Sequence, residues 1–192
     1  MGNPSYDFLK SKFDISKDTF KILRNLSTEK TLKPGEYIIK QEGMSSKLYF
    51  LISGLMRSVR VSEAGKEYTK NIYSPINFVG PLSSILTKKP SFLSYEALTE
   101  CKVYEVDFNE FYSLTKKAIE ISNLYNRVLE YLFVVYERKQ FESISLNATE
   151  RYQLLKSRIP DIDTQIAQYH IASYLNITPV QLSRIRKDLK QN

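Results

Sequence analysis

Cysteine is almost absent from this chain: Cys101 stands alone among 192 residues. No disulfide can close within it, which suits a reducing compartment, and no iron–sulfur cluster or zinc knuckle can be built from it alone. Histidine is equally scarce. His170 is the only one, so the histidine clusters that hold metals in barrel-shaped enzymes cannot form ahead of it. Neither a nucleophile–base pair nor a phosphate-cradling loop stands out. No metal site and no enzymatic activity are expected. Long uncharged apolar runs are also missing, so neither a secretion signal nor a membrane span is expected, and a cytoplasmic location fits. The opening six residues fail the N-myristoylation pattern, because Tyr6 stands where Ser or Thr is needed. Acid is the rarer charge, with 21 Asp+Glu against 28 Lys+Arg and a formal charge of +7. That excess favours a polyanionic partner, nucleic acid or anionic membrane, without deciding between them.

What is present divides into three textures. Hydrophobic residues make up 42% of the chain, enough for one good core or for one core plus a small satellite domain. Up to about Phe108, short alternating segments such as KLYFLISG and CKVYEVD are punctuated by Lys33-Pro34-Gly35, Glu42-Gly43, Ser53-Gly54 and Glu63-Ala64-Gly65. Many short strands at near-regular spacing predict a sandwich or barrel, preceded by a short helix around Lys17–Leu26. From about Asn109 to Ser143 the period becomes helical. Ile121, Tyr125, Val128, Leu132 and Val135 fall on one stripe, and Leu124, Leu129, Tyr131 and Tyr136 widen it beyond a single face. Two readings stay open: a helix buried within its own domain, or a long dimer helix with one side on the β-domain and the other on a second copy. The rest, Ser145–Asn192, reads as a string of short helices, its first capped by Asn147 and Glu150 and stopped by Pro160. The expected organisation is 1–108, 109–144 and 145–192.

The last of those helices carries a dense start signal. Thr178 is a good N-cap, Pro179 suits the first helical position, Gln181 completes a capping box, and Ile177 and Leu182 form a hydrophobic staple. At about 100° per residue, Leu182, Ile185 and Leu189 share one face and must meet a core. Val180, Ser183, Arg184 and Lys187 share the opposite face. That face is either simply solvated or suited to a DNA groove, where Arg forks onto guanine, Ser bonds bases or phosphate, and a small apolar group meets a thymine methyl. The preceding QYHIASYLNI favours the second reading. Ala172 is small where two helices would cross, and Asn176 tolerates the left-handed φ of a tight turn. The spacing of Ala172, Asn176, Leu182 and Ile185 resembles the helix-turn-helix of bacterial regulators, with Asn in place of the usual turn Gly.

With that motif placed, nearly the whole chain resembles the superfamily of the cyclic-AMP receptor protein and the fumarate–nitrate regulator, the Crp/Fnr superfamily. LKPGEYIIKQEGMSSKLYFLISGLMRSV resembles the first half of its β-roll, with Gly35, Gly43 and Gly54 at turns. NFVGPLSSIL resembles its phosphate cassette, residues 110–144 its dimer helix, and NATERYQLLKSRIP the first helix of its DNA-binding domain. The resemblance implies an α+β chain. It would comprise an N-terminal double-stranded β-helix (jelly-roll) sensor domain, a long dimerisation helix and a C-terminal helix-turn-helix domain, here without a wing after the recognition helix. It implies a homodimeric transcription regulator of double-stranded DNA, with RNA polymerase as a further partner and no membrane partner.

The departures shape the expected ligand. Cyclic-nucleotide binders of this family carry a cassette Glu on the ribose and an Arg on the cyclic phosphate. Pro81 and Ser91 stand at the matching positions, so cyclic AMP is not expected and no cofactor is named. Lys88 and Lys89 lie nearby but offer point charges rather than a fork. Val79, Gly80, Pro81, Leu82, Ser91 and Phe92 remain the candidate effector pocket. His170 is expected to be an exposed helix residue near phosphate, and Cys101 to pack in a strand or, less simply, to sense redox state. Relatives of the fumarate–nitrate type often have Glu where Val180 stands, so the preferred base sequence should differ. The expected DNA contacts are Arg184 on a guanine and Val180 and Ser183 on neighbouring bases. Arg186, Lys187 and Lys190 would meet phosphates, with Thr178 and Gln181 at the helix start. The alternative is a small-molecule-sensing or scaffold module whose helix-turn-helix no longer binds DNA.

Overall fold

The computed structural model describes residues 3–191. Two helices open the chain, α1 (Pro4–Phe13) and α2 (Lys17–Leu26). The sequence pattern predicts only the second. The start of the first is nevertheless marked: the Asn3 side chain accepts from the Ser5 and Tyr6 N–H groups, and Pro4 sits at the first position. Eight strands follow: β1 (Ser27–Leu32), β2 (Tyr37–Ile39), β3 (Lys47–Ser53), β4 (Met56–Val61), β5 (Glu67–Tyr73), β6 (Asn77–Val79), β7 (Ser94–Ala97) and β8 (Cys101–Asp107). The short α3 (Leu82–Thr87) lies between β6 and β7. They form two antiparallel four-stranded sheets, ordered β1-β8-β3-β6 and β2-β7-β4-β5. Gly54 makes the tight β3–β4 turn possible. Its φ is +87°, and a Cβ there would stand 2.2 Å from the Glu100 carbonyl.

Strand alternation sorts the side chains into three layers. Leu51, Met56, Tyr73, Tyr95, Cys101 and Val103 point inward and fill the space between the sheets. Cys101 is fully buried, and burial pushes its thiol pKa up. Tyr73 and Tyr95 stack with ring centroids 6.4 Å apart. The Tyr73 hydroxyl donates to Ser58 Oγ and accepts from Asn71 Nδ2, so the buried polar groups are answered. Phe50, Phe78 and Tyr104 point outward from the first sheet and meet Leu9, Phe13 and Leu124. Leu55 and Ile72, on the far side of the second sheet, join Tyr152, Leu155, Ile171 and Leu182 in a third cluster.

Two helices connect the β-roll to the C-terminal region: α4 (Phe108–Thr115) and the 27-residue α5 (Ile119–Ser145). At 1.5 Å per residue α5 is about 40 Å long. Its inner face lies on its own β-roll. Ile121 is 1% exposed, Val128 and Tyr131 pack on the Phe13–Phe50 cluster, and Tyr125 and Leu132 border a cavity there. Of the expected dimer-helix residues, Ile121, Tyr125, Val128 and Leu132 thus lie on the side that meets the β-domain, and Val135 is half-buried. The outward ridge is instead Phe133, Val134, Phe141 and Ile144, all exposed. A helix apolar most of the way round gives periodicity no basis for choosing which face meets which neighbour. Four helices complete the chain: α6 (Ala148–Arg158), α7 (Ile162–Gln165), α8 (Gln168–Leu175) and α9 (Pro179–Gln191). Among the described residues no helix is long and apolar enough to cross a membrane.

Candidate nucleic-acid interface

Two of the four last helices, α6 and α9, are fixed by capping boxes that the sequence announces. Asn147 and Glu150 form a reciprocal capping box at the start of α6. Thr178 and Gln181 form another at the start of α9: Gln181 N donates to Thr178 Oγ1 at 3.2 Å, and Thr178 N donates to Gln181 Oε1 at 2.9 Å. Between α8 and α9 the chain turns at Asn176, whose φ is +54°. Arg151 donates to the Leu175 carbonyl at the end of α8, and Gln168 Nε2 donates to the Pro179 carbonyl, tying the two helix starts together. Ala172 is 1% exposed and Leu182 fully buried, with Ile185 and Leu189 packed beside them.

With Leu182 pinned, the opposite face of α9 points outward. Val180 is 62% exposed, and Ser183, Arg184, Lys187 and Lys190 are exposed, as are Thr178 and Gln181 at the helix start. Neither Arg184 nor Lys187 has an ion-pair partner among the described residues. Such an array of free donors is what phosphates and base edges require. Arg186 departs from the expected phosphate role. Its guanidinium is bonded to Asp163 and to the Tyr152 hydroxyl, and only 23% of its side chain is exposed. The reason is angular: Arg186 borders the Leu182–Ile185–Leu189 stripe, within reach of the α7 carboxylate. Arg186 orients α9; it is not a free cation.

His170 also departs from expectation. It is 8% exposed, on the α8 face that meets the β-roll. That face docks on the edge of the second sheet: Thr69 N donates to Ser173 Oγ at 3.0 Å, and Ser173 Oγ donates to the Glu67 carbonyl at 3.1 Å. Beneath it, buried Arg57 is paired with Glu96 and Glu67. Burial, and then the Arg57 charge, push the His170 pKa down to about 4, with Glu67 opposing. Above about pH 6.5 the imidazole is neutral whether folded or not. As the pH falls from 6.5 toward 4, the unfolded chain takes up a proton that the folded chain refuses, so stability is lost across that window. We expect this group to cost about 2 kcal/mol at pH 5 relative to pH 7. His170→Gln should lose that component, read as the change in urea midpoint between the two pH values. Equal changes in both proteins would show that His170 is not the cause.

The six residues expected to form an effector pocket do not share one. Val79, Gly80 and Leu82 line the end of the cavity under α5. Pro81 is fully buried. Ser91 is 2% exposed, and its hydroxyl donates to the Leu93 carbonyl within its own turn. Phe92 is 63% exposed, beneath the Arg60 guanidinium at 3.6 Å. Their proximity in sequence does not survive the turn at 90–93, which points Ser91 and Phe92 in different directions. Among the described residues no group of three or more His, Cys, Asp or Glu side chains is placed to hold a metal.

Comparison with known proteins bears on the fold. Residues 29–118 match the cyclic nucleotide-binding domain family. A curated relative, the anaerobic regulatory protein of Bacillus subtilis (strain 168), is 27% identical over 97 residues. That stretch is half of this chain but 40% of the relative. Among solved structures, the global regulator CLP of Xanthomonas campestris, described as responsive to c-di-GMP, superposes with a TM-score of 0.70 at 15% identity, covering 92% of each chain. FixK2 of Bradyrhizobium japonicum gives 0.67 at 18% identity, over 86% of this chain and 85% of that one. Residues 29–118 are therefore similar to the cyclic nucleotide-binding domain, in a chain whose fold is that of CLP and FixK2.

Proposed function

We propose that this chain is a sequence-specific DNA-binding transcription regulator that acts as a cytoplasmic homodimer. The observation that carries the reading is the outward face of α9, where Val180, Ser183, Arg184 and Lys187 are exposed while Leu182 is fully buried. Two such helices, related by a two-fold axis, would enter successive major-groove faces with half-site centres about 34 Å apart. Arg184 reads a guanine, Val180 and Ser183 refine the choice, and Lys187 and Lys190 meet phosphates. RNA polymerase is the further partner that transcriptional action requires.

The β-roll does not bind cyclic AMP in this reading. Pro81 has no carboxylate for a ribose, the Ser91 hydroxyl is engaged by its own turn, and Tyr73 and Tyr95 stack in the interior. The test is selection of bound sequences from random DNA, followed by titration of two variants. Arg184→Ala should lose about 1–3 kcal/mol at one base pair of the selected site and leave random DNA unaffected. Lys187→Ala should weaken all sequences alike and lower the salt slope by about one unit. Selection of no sequence, or equal weakening of selected and random DNA by both changes, would refute the reading.

A further inference from the structure

A cavity of about 170 Å³ lies between the outer face of the first sheet and helices α2 and α5. Its walls are aromatic and aliphatic, with Phe20 and Leu23 from α2, Phe50 from β3, and Leu124 and Val128 from α5. Phe50 and Tyr104 alternate with Leu51 and Val103, so this space lies mainly outside the β-roll interior. One charged residue borders it, Arg24 of α2, and no carboxylate is in its wall. The Arg24 guanidinium stacks on the Tyr104 ring at 3.9 Å. Its Nη1 is fully enclosed and has no hydrogen-bond partner, and no ion pair to Arg24 exists among the described residues.

An enclosed guanidinium N–H with no acceptor is a costly arrangement, and buried polar groups that stay unanswered need a reason. Arg24 is the one charged side chain bordering the apolar cavity and has no ion-pair partner among the described residues, so its acceptor would arrive with a ligand. A guanidinium offers the planar donor pair that suits a carboxylate. An apolar cavity of about 150 Å³ is known to take benzene, so this one fits a single ring or a short chain. We propose that the cavity binds a small apolar monocarboxylic acid, of about six to eight carbon atoms by that size. Its carboxylate lies on Arg24 and its body against Phe20, Leu23 and Val128. The site goes beyond the DNA-binding reading and is tested without DNA, so either can fail alone.

The test titrates the full chain with benzoate and with hexanoate by calorimetry, using benzamide as a neutral control of the same shape. At least one acid should saturate a single site, with benzamide about tenfold weaker or more. Arg24→Met keeps an apolar stem on Tyr104 and removes the charge. It should weaken the acid about tenfold and leave benzamide unchanged. Val128→Phe fills the space and should abolish both. A thermal midpoint for each variant establishes that it is folded. The proposal is overturned by the absence of saturable acid binding up to about 10 mM, by equal affinity for benzoate and benzamide, or by unchanged acid binding in a folded Arg24→Met protein.

Discussion

Leu182→Ala should lower the stability of the protein by about 2–5 kcal/mol and abolish sequence-specific DNA binding. Leu182 is fully buried on the first turns of α9 and belongs to the cluster that also holds Ile171, Ala172 and Leu175 of α8. Truncation leaves a void at the helix crossing, where small Ala172 offers nothing that could move in to fill it. The same side chain keeps α9 from rolling, so its loss releases Arg184 and Lys187 from a defined direction. Urea denaturation followed by circular dichroism gives the first quantity, and fluorescence anisotropy on the selected site gives the second. Leu182→Met should cost less than about 1.5 kcal/mol and retain binding, because volume is conserved. An Ala variant with an unchanged urea midpoint would mean that α9 is held by something other than this contact.

Phe141→Glu should produce a folded monomer whose affinity for the two-fold site falls roughly 100- to 10,000-fold. Phe141 is 70% exposed on α5, in a ridge with Phe133, Val134 and Ile144. Positions 134, 137, 141 and 144 follow the 4-3 spacing of a coiled-coil seam, with Glu137 the one polar member. The proposed dimer would bury this ridge against its copy, and a carboxylate at its centre would then lie unpaired against apolar groups. Because Phe141 is exposed in the single chain, the substitution should leave monomer stability nearly unchanged. The large loss in DNA affinity would arise because, in the proposed dimer, each α9 must then bind its half-site alone. Sedimentation equilibrium and anisotropy measure the two effects. A Phe141→Glu protein that stays dimeric, or a monomer that binds the full site as tightly, would move the interface elsewhere.

The parts that the sequence discloses best are those fixed within a few residues of themselves. The Thr178–Gln181 and Asn147–Glu150 boxes, the left-handed Asn176 and the buried side of α9 are local geometry, and each is found as the residue types require. Apart from the effector residues separated by the turn at 90–93, the errors share a different cause, since each depends on a partner distant in sequence. Arg186 is claimed by Asp163 and Tyr152 across α6 and α7. His170 is covered by a β-roll surface a hundred residues earlier, one that includes Arg57 and Glu67. The inner stripe of α5 meets Phe13 of α1, a helix too short and weakly patterned to be foreseen, although Asn3-Pro4 marks its start. Arg24 gave no signal at all. A lone arginine in an amphipathic helix is unremarkable until the wall beside it is seen to contain no acid.

The clasp formed by Ser173 on Thr69 and Glu67 has a consequence for the behaviour of the protein in concentrated solution. β5 is an outer strand of its sheet, and its open amide and carbonyl groups would invite another chain to add on. With α8 seated, that margin is covered, and its Thr69 N–H and Glu67 carbonyl are answered by Ser173. Any movement that lifts the C-terminal helices away uncovers the margin together with Leu55 and Ile72. The released form would therefore be the adhesive one, and colloidal solubility would track how firmly the two halves of the molecule hold each other.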